Sequence, residues 1–316
     1  MVIFYHGDMD GIAAANLYIN KISSVNVIRA IEFEYDKQPL ILEALKNTKV
    51  NNEIIFLDCC PDEDILKEMI SRRYIGRITI LDHHISKKDL IDKYIQESLI
   101  DGLSYIGASA TLITWCWAHF DKDIEQIKYF LDKTKDSKSE QDNSPIPFSI
   151  RLINSWDIWN KMYPDAEPYK IFFESQGFVP TDEKIEKLLD DNITIRNAIR
   201  DGNIMMKFFH NWGKIYCERY GYEAKYLTND FFVLNVGNAN SKIFGDIINH
   251  YDAVIIYCND GYQWKCSIYS QKEEFDCSKF AEQFGGGGHK GAAGFILKDL
   301  PIWLRDRKLN LFQKEG

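Results

Sequence analysis

Short apolar runs alternate with amphipathic stretches through the first third of the chain. Residues 2–5 (Val-Ile-Phe-Tyr), 26–30, 53–57 (Glu-Ile-Ile-Phe-Leu) and 78–81 (Ile-Thr-Ile-Leu) read as strands. Between them, 12–19, 39–47 and 62–72 carry apolar residues at helical spacing, and Pro61 suits the first turn of the third helix. Strand and helix in alternation predict an α/β fold with a parallel, doubly wound sheet. Such sheets place their ligand crevice outside the carboxyl ends of the strands. Three of the runs end in chemically active residues: 2–5 in His6-Gly7-Asp8-Met9-Asp10-Gly11, 53–57 in Asp58, and 78–81 in Asp82-His83-His84. These strand ends are expected to converge on one metal site.

Further along, Gly107-Ala108-Ser109-Ala110-Thr111 precedes an apolar helix that runs to Phe120. Ser109 is read as its cap, with a phosphate contact as the alternative. Residues 132–144 are polar and read as an exposed loop. Ile150 to Ile153 then leads into Asn154-Ser155-Trp156-Asp157-Ile158-Trp159, an acid between two tryptophans, and Asp157 is counted with the strand-end acids. Residues 181–220 read as helical, charged first and aromatic later, and fit a linker between two lobes. Strands are predicted at 231–236, 253–258 and 264–269, with helices at 241–250 and 277–284. The last feature is Gly285-Gly286-Gly287-Gly288-His289-Lys290-Gly291-Ala292-Ala293-Gly294. The chain therefore divides into 1–180, a helical linker at 181–220, and 221–316.

Composition narrows the partners. The formal net charge of −9 argues against a sequence-blind grip on long duplex nucleic acid, which needs a basic surface. No apolar segment is long enough to span a membrane, and no signal peptide is visible, so a cytoplasmic location is expected. The seven cysteines form neither C-x-x-C pairs nor an even framework, in keeping with a reducing compartment. Cys59 and Cys60 read as small buried residues. A homodimer is compatible with the chain.

Two divalent ions about 3.5–4 Å apart can clamp both oxygens of an in-line phosphoryl displacement. Such a site needs carboxylates, one of them bridging, with imidazoles as neutral donors. Mixed oxygen and nitrogen ligands suit Mn²⁺ better than Mg²⁺. Taken singly, Asp-x-Asp-Gly is also a plain turn, paired histidines are also loop residues, and Asp157 is also a helix cap. The combination carries the reading.

These motifs, in this order, resemble the DHH phosphoesterase superfamily. His6 to Gly11 looks like its first motif, Asp58 its second, Asp82-His83-His84 the third and Asp157 the fourth. Gly286-Gly287-Gly288-His289 with Ala292-Ala293-Gly294 resembles the glycine-rich signature of the DHH-associated C-terminal domain. The resemblance implies a DHH catalytic domain over 1–180 and a smaller α/β substrate-binding domain over 221–316, with a cleft between them. It implies two Mn²⁺, with Mg²⁺ as a substitute, held by His6, Asp8, Asp10, Asp58, His83 and Asp157. Asp58 would bridge the ions, His84 would face the substrate phosphate, and Asp82 would orient the histidines from behind. Gly286, Gly287, Gly288 and His289 would bind substrate, their backbone N–H groups forming an anion-binding concavity. The family often carries an arginine where this chain has Tyr269 (Ser267-Ile268-Tyr269-Ser270), so a phosphate clamp is lost. Tyr269 could stack on a base or be a plain surface strand residue.

The resemblance implies a hydrolase acting on phosphoric ester bonds of short oligonucleotides or small nucleotides. Rival activities are hydrolysis of cyclic or linear dinucleotides and of polyphosphate or pyrophosphate. A non-catalytic nucleotide-binding protein is the rival of a different class.

Overall fold

A computed structural model of the chain describes residues 1–23, 29–46, 52–71, 75–134 and 144–305. The chain separates into two compact units, Met1–Met205 and Met206–Gly316.

The first unit is built on a five-stranded sheet. Its strands are β1 (Val2–His6), β2 (Arg29–Phe33), β3 (Asn52–Leu57), β4 (Ile75–Asp82) and β5 (Asp101–Ser104), in the order β2-β1-β3-β4-β5. Every neighbouring pair is parallel. Successive side chains of a strand face opposite ways, so a run apolar at every position buries both faces. Ile3, Tyr5, Ile55, Leu57 and Leu81 face one core, and Val2, Phe4, Ile54, Phe56, Ile78 and Ile80 face the other. The first core is closed by α1 (Met9–Leu17), α5 (Ala110–His119), α7 (Phe148–Asp157), α8 (Ala166–Ser175) and α9 (Glu183–Asp190). The second is closed by α2 (Pro39–Leu45), α3 (Glu63–Ser71) and α4 (Ile85–Gln96). The expected parallel, doubly wound sheet is therefore present. Strand order reverses between β1 and β3, which makes their carboxyl ends the switch point where a crevice forms.

Several expectations shift in detail. The second strand lies at Arg29–Phe33, and residues 26–28 lie outside the described residues. It is an edge strand with only Phe33 fully buried, so its apolar signal is weak. Of the polar loop expected at 132–144, residues 132–134 end helix α6 (Ile124–Thr134), and 135–143 lie outside the described residues. The helical run at 181–220 is two helices, α9 and α10 (Asn192–Tyr220). Asp191 breaks them with an extended backbone and then accepts the N–H of Thr194 at 2.8 Å, capping α10. Ile185, Leu188 and Leu189 of α9 belong to the first core. The sequence pattern predicted neither α4, α6 and α8 nor β5.

The second unit carries a mixed sheet of β6 (Tyr222–Tyr226), β7 (Asn229–Asn235), β8 (Ala253–Asn259), β9 (Trp264–Tyr269), β10 (Gly287–His289) and β11 (Ala292–Leu297). The order is β10-β11-β9-β8-β7-β6, antiparallel except for β7 against β8. One face packs on α11 (Cys277–Glu282) and α12 (Ile302–Arg305). The other packs on Cys217 and on the 3₁₀ segment Ser241–Asn249, kinked at Gly245. The smaller α/β domain expected at the C-terminus is thus present. Among the described residues no helix is long and apolar enough to cross a membrane.

Gly11 shows how tightly the first helix meets the first strand. A Cβ there would lie 2.2 Å from the carbonyl oxygen of His6, a backbone atom that cannot swing aside. The glycine of Asp-x-Asp-Gly is therefore a packing requirement. Gly11→Ala should cost about 1–3 kcal/mol of stability, as overpacking does. Thermal unfolding of the metal-free protein measures this, and an unchanged midpoint would refute the tight contact.

Candidate metal centre

The site assembles at the carboxyl ends of β1, β3 and β4. After β1 the chain turns at once into α1, and Asp8 caps that helix, its Oδ1 accepting from Gly11 N at 3.0 Å. The other oxygen, Oδ2, is 3.2 Å from His6 Nδ1. Asp10 lies in the first turn of α1, 2 % exposed. Its carboxylate points at the N-terminus of α5, accepting from Ala110 N at 2.7 Å and Thr111 N at 2.9 Å. The hydroxyl of Thr111 donates to the Asp10 carbonyl at 2.9 Å. A helix N-terminus offers free N–H groups and a favourable dipole to just such a charge.

Asp58 follows β3 with φ of 59°, a left-handed backbone that few residues other than glycine adopt. Its N–H still extends the ladder, donating to Leu81 O at 3.0 Å, so the strand positions the residue even through the turn. Asp82, the last residue of β4, is fully buried. Its Oδ1 accepts from His83 N at 2.8 Å and lies 2.7 Å from His84 Nδ1. That contact fixes the His84 ring with Nε2 as its remaining donor or acceptor. His83 Nε2 is 3.1 Å from Asp58 Oδ1 and 3.3 Å from Asp157 Oδ2.

One expectation is corrected here. Asp157 was placed at a strand end, but it is the last residue of helix α7. One turn earlier on the same helix, Asn154 Oδ1 accepts from Ser109 N at 2.8 Å. Ser109 itself caps α5, as expected, its hydroxyl accepting from Leu112 N at 3.3 Å. The N-terminus of α5 thus ties α1, which carries Asp10, to α7, which carries Asp157. Sequence reading found the cap but not its targets. The Asn154-x-x-Asp157 spacing was the available signal.

Three overlapping sets of donor atoms result, each within 4.8 Å: His6, Asp8 and Asp58; Asp10, His83 and Asp157; and Asp58, His83 and His84. Among the described residues, His6 Nδ1, Asp58 Oδ1 and Asp157 Oδ2 are buried atoms that meet only the close imidazole–carboxylate contacts of this cluster and make no hydrogen bond of good geometry. Buried polar atoms left unpaired are costly and rare. Here they face one another, so a divalent cation fits them: it would satisfy carboxylates and imidazoles at once. The four strand-end and helix-end motifs meet in chain order around one point.

Comparison with known proteins was made on the whole chain. No family model matches it. A curated relative from Acanthamoeba polyphaga mimivirus, the uncharacterised protein R106, is 24 % identical over 321 residues, covering 95 % of this chain and 68 % of its own. Among solved structures, RecJ of Thermus thermophilus in complex with Mn²⁺ is 14 % identical, with a TM-score of 0.48 over 96 % of this chain and 50 % of that one. The pGpG-specific phosphodiesterase PggH of Vibrio cholerae is 12 % identical, with a TM-score of 0.46 over 99 % and 96 %. An exopolyphosphatase-related protein of Bacteroides fragilis is 14 % identical, with a TM-score of 0.45 over 99 % and 90 %.

Charge in this cluster of acids and imidazoles is unbalanced. Contact with Asp58, and then Asp8, pushes the His6 imidazole up to about 10. Burial opposes charge on His83, but Asp58 and the acids around it outweigh burial and raise it. Burial, with neighbouring carboxylates, raises Asp10 and Asp157. Asp82 raises His84. Cys60 is buried beside the site and pushed up to about 12 by that burial, which fits packing and not ligation. All seven cysteines are free thiols.

The remaining expected site residues lie in the second unit. Gly286, Gly287, Gly288 and His289 are not one open loop: the first closes a helix end and the other three form a strand at the edge of the sheet. Gly285 N donates to Glu282 O at 3.1 Å and Gly286 N to Ala281 O at 2.9 Å, closing the end of α11. Gly287 to His289 then form edge strand β10. A Cβ on Gly286 would lie 2.2 Å from Gly294 O, and one on Gly288 2.6 Å from Ala293 Cα. These two glycines are therefore required by close strand packing. His289 pairs with Ala292, and Ala292 with Tyr269, so the three share one row of one sheet face. His289 is exposed, and Tyr269 is partly buried against the apolar cluster that holds Phe244.

The raised imidazoles give a pH dependence with a definite sign. A group whose folded value exceeds its unfolded one adds stability below the unfolded value, and that stability is lost as pH rises through the folded one. For His6 the window runs from the ordinary 6.5 to about 10. The metal-free protein should lose stability across it. Mn²⁺ must displace the same protons, so its stabilising effect should grow across the same window. Unfolding midpoints with and without Mn²⁺ from pH 6.5 to 10 check this; parallel curves would refute it.

Proposed function

We propose that this chain is a divalent-metal-dependent phosphoesterase that hydrolyses short oligonucleotides or small nucleotides. The observation that carries the reading is the set of buried ligand atoms on His6, Asp58 and Asp157, held only by one another's imidazole–carboxylate contacts and by His83, beside the switch point of a doubly wound sheet. Mixed carboxylate and imidazole donors favour Mn²⁺, with Mg²⁺ the weaker fit. His6, Asp8 and Asp58 would hold one ion, and Asp10, His83, Asp157 and the shared Asp58 the other. When bound, such a pair supplies Lewis acidity, activating water and neutralising charge that develops on the phosphoryl oxygens.

The chain's own residues do the rest. Asp82 fixes the His84 ring and favours its protonated form, so His84 Nε2 can donate to a phosphate oxygen. Thr111 and Ala110 hold the Asp10 carboxylate, which keeps its second lone pairs for a ligand. In the second unit, His289 and Tyr269 share one row of a sheet face beside Gly286, Gly287 and Gly288 and would contact a nucleotide, with Tyr269 in place of an arginine clamp. Cytoplasmic turnover of short products, by a monomer or a homodimer, is the setting that fits.

Asp58→Asn should abolish Mn²⁺-dependent turnover while leaving the fold intact by circular dichroism. The loss should exceed the roughly 10- to 100-fold that follows removal of an outer hydrogen-bond partner of a metal ligand. Competition between a dinucleotide, a 3′,5′-bisphosphorylated nucleoside and pyrophosphate separates the ester readings from phosphoanhydride hydrolysis. Preference for pyrophosphate, or full activity of the variant, would overturn the proposal.

A further inference from the structure

Trp159 is a large aromatic side chain that the fold holds out in solvent. It is 64 % exposed and stands two residues beyond Asp157, so its Cα lies within about 7.5 Å of that residue's Cα. Its backbone is left-handed, with φ of 54°, and Lys161 follows at 52°. For a bulky residue this region is an outlier that persists only where its surroundings impose it. Burial of the indole does not repay the strain, because the indole is not buried.

The surroundings do impose it. Ser155 Oγ donates to Asn160 Oδ1 at 2.7 Å and accepts from Met162 N at 3.1 Å and Tyr163 N at 3.3 Å. Asn160 Oδ1 accepts from Met162 N at 3.0 Å as well. The turn from 156 to 163 is thereby pinned to α7. The ring of Trp156, packed against the first core, backs Trp159 at 5.0 Å between centroids, and Lys170 Nζ lies 5.2 Å from the Trp156 centroid. The left-handed residue is also how α7 ends, with Trp159 N donating to Trp156 O at 3.2 Å; what remains is a solvated indole on a rigid mount, and ordering it beforehand removes an entropy cost from binding a ligand.

We propose that Trp159 is a stacking platform for a nucleobase of the substrate whose phosphate occupies the centre that includes Asp157. This rests on the phosphoesterase reading and narrows it to substrates that carry a base next to the scissile phosphate. Aromatic faces accept any base, so the platform selects for a base without choosing among bases. Polyphosphate and pyrophosphate would gain nothing from it.

The test is equilibrium binding of a labelled dinucleotide and of its abasic counterpart, with Ca²⁺ in place of Mn²⁺ to suppress turnover. Wild type, Trp159→Ala and Trp159→Phe are compared. The alanine variant should bind the dinucleotide about 5- to 150-fold more weakly, the range expected for loss of one stacked base. The abasic ligand should bind all three alike, and phenylalanine should restore most of the affinity. Equal losses on both ligands, no loss on either, or no binding of the dinucleotide to wild type would overturn the proposal. So would a Trp159→Ala effect confined to a change in oligomeric state by sedimentation, which would make the indole a protein contact. Failure of the phosphoesterase reading is visible separately: wild type with Mn²⁺ would leave every phosphoester intact, while the binding comparison still decides the role of Trp159.

Discussion

Bringing like charges together out of water is the constraint on which this molecule is organised. Asp8, Asp10, Asp58 and Asp157 crowd around His83 and His6, and each carboxylate resists burial. The scaffold answers each one differently. Asp8 is held by the first turn of its own helix, and Asp10 by the N-terminus of another. Asp58 faces three imidazoles, those of His6, His83 and His84, whereas Asp157 faces that of His83. Without a cation the shortfall is met by protons, which is why the imidazoles and the two most crowded acids hold theirs so firmly. A cluster like this persists only on rigid supports, and the two fully packed cores on either side of the sheet provide them.

The same economy explains which parts of the molecule could be read in advance. Runs such as Ile54-Ile55-Phe56-Leu57 announce a strand buried on both faces, and the polar residue that ends each run must then lie at the sheet's edge. Strand ends, switch point and ligand set follow from that simple logic. Asp157 escapes it because Ile150, Leu152 and Ile153 suit a short buried strand as well as one side of a helix, here one that packs on α5, α8 and α9. A short apolar run does not distinguish the two, and only contacts far off in sequence decide. The left-handed backbone of Asp58 was equally invisible, since aspartate tolerates that conformation without advertising it.

The glycine-rich stretch shows a different limit of the sequence pattern. Four consecutive glycines invite a reading as a flexible cradle for an anion. In the fold, two of the N–H groups are consumed at the end of α11, and two of the glycines are small because neighbouring backbone leaves no room. The missing side chains serve the approach of strands, and the surface that emerges is a flat, small-residue face with His289 and Tyr269 in one row. Sequence could locate this element, but whether glycine meant freedom or crowding depended on partners it could not name.

Helix α5 deserves its place at the centre of the mechanism because its first turn serves three clients with one set of free N–H groups. Ser109 N goes to Asn154, Ala110 N and Thr111 N go to Asp10, and the Ser109 hydroxyl satisfies Leu112 N. Nothing in that turn is left for solvent or for a substrate phosphate, which removes the alternative reading of Ser109. What the turn supplies instead is registration. Asp10 and Asp157 come from helices far apart in sequence, yet both are referred to the same few backbone atoms. A carboxylate oxygen with one hydrogen bond retains a lone pair, so Asp10 can be held by the helix and still meet an ion. The helix dipole opposes the burial that raises its proton affinity, and so helps to release that proton when a cation arrives.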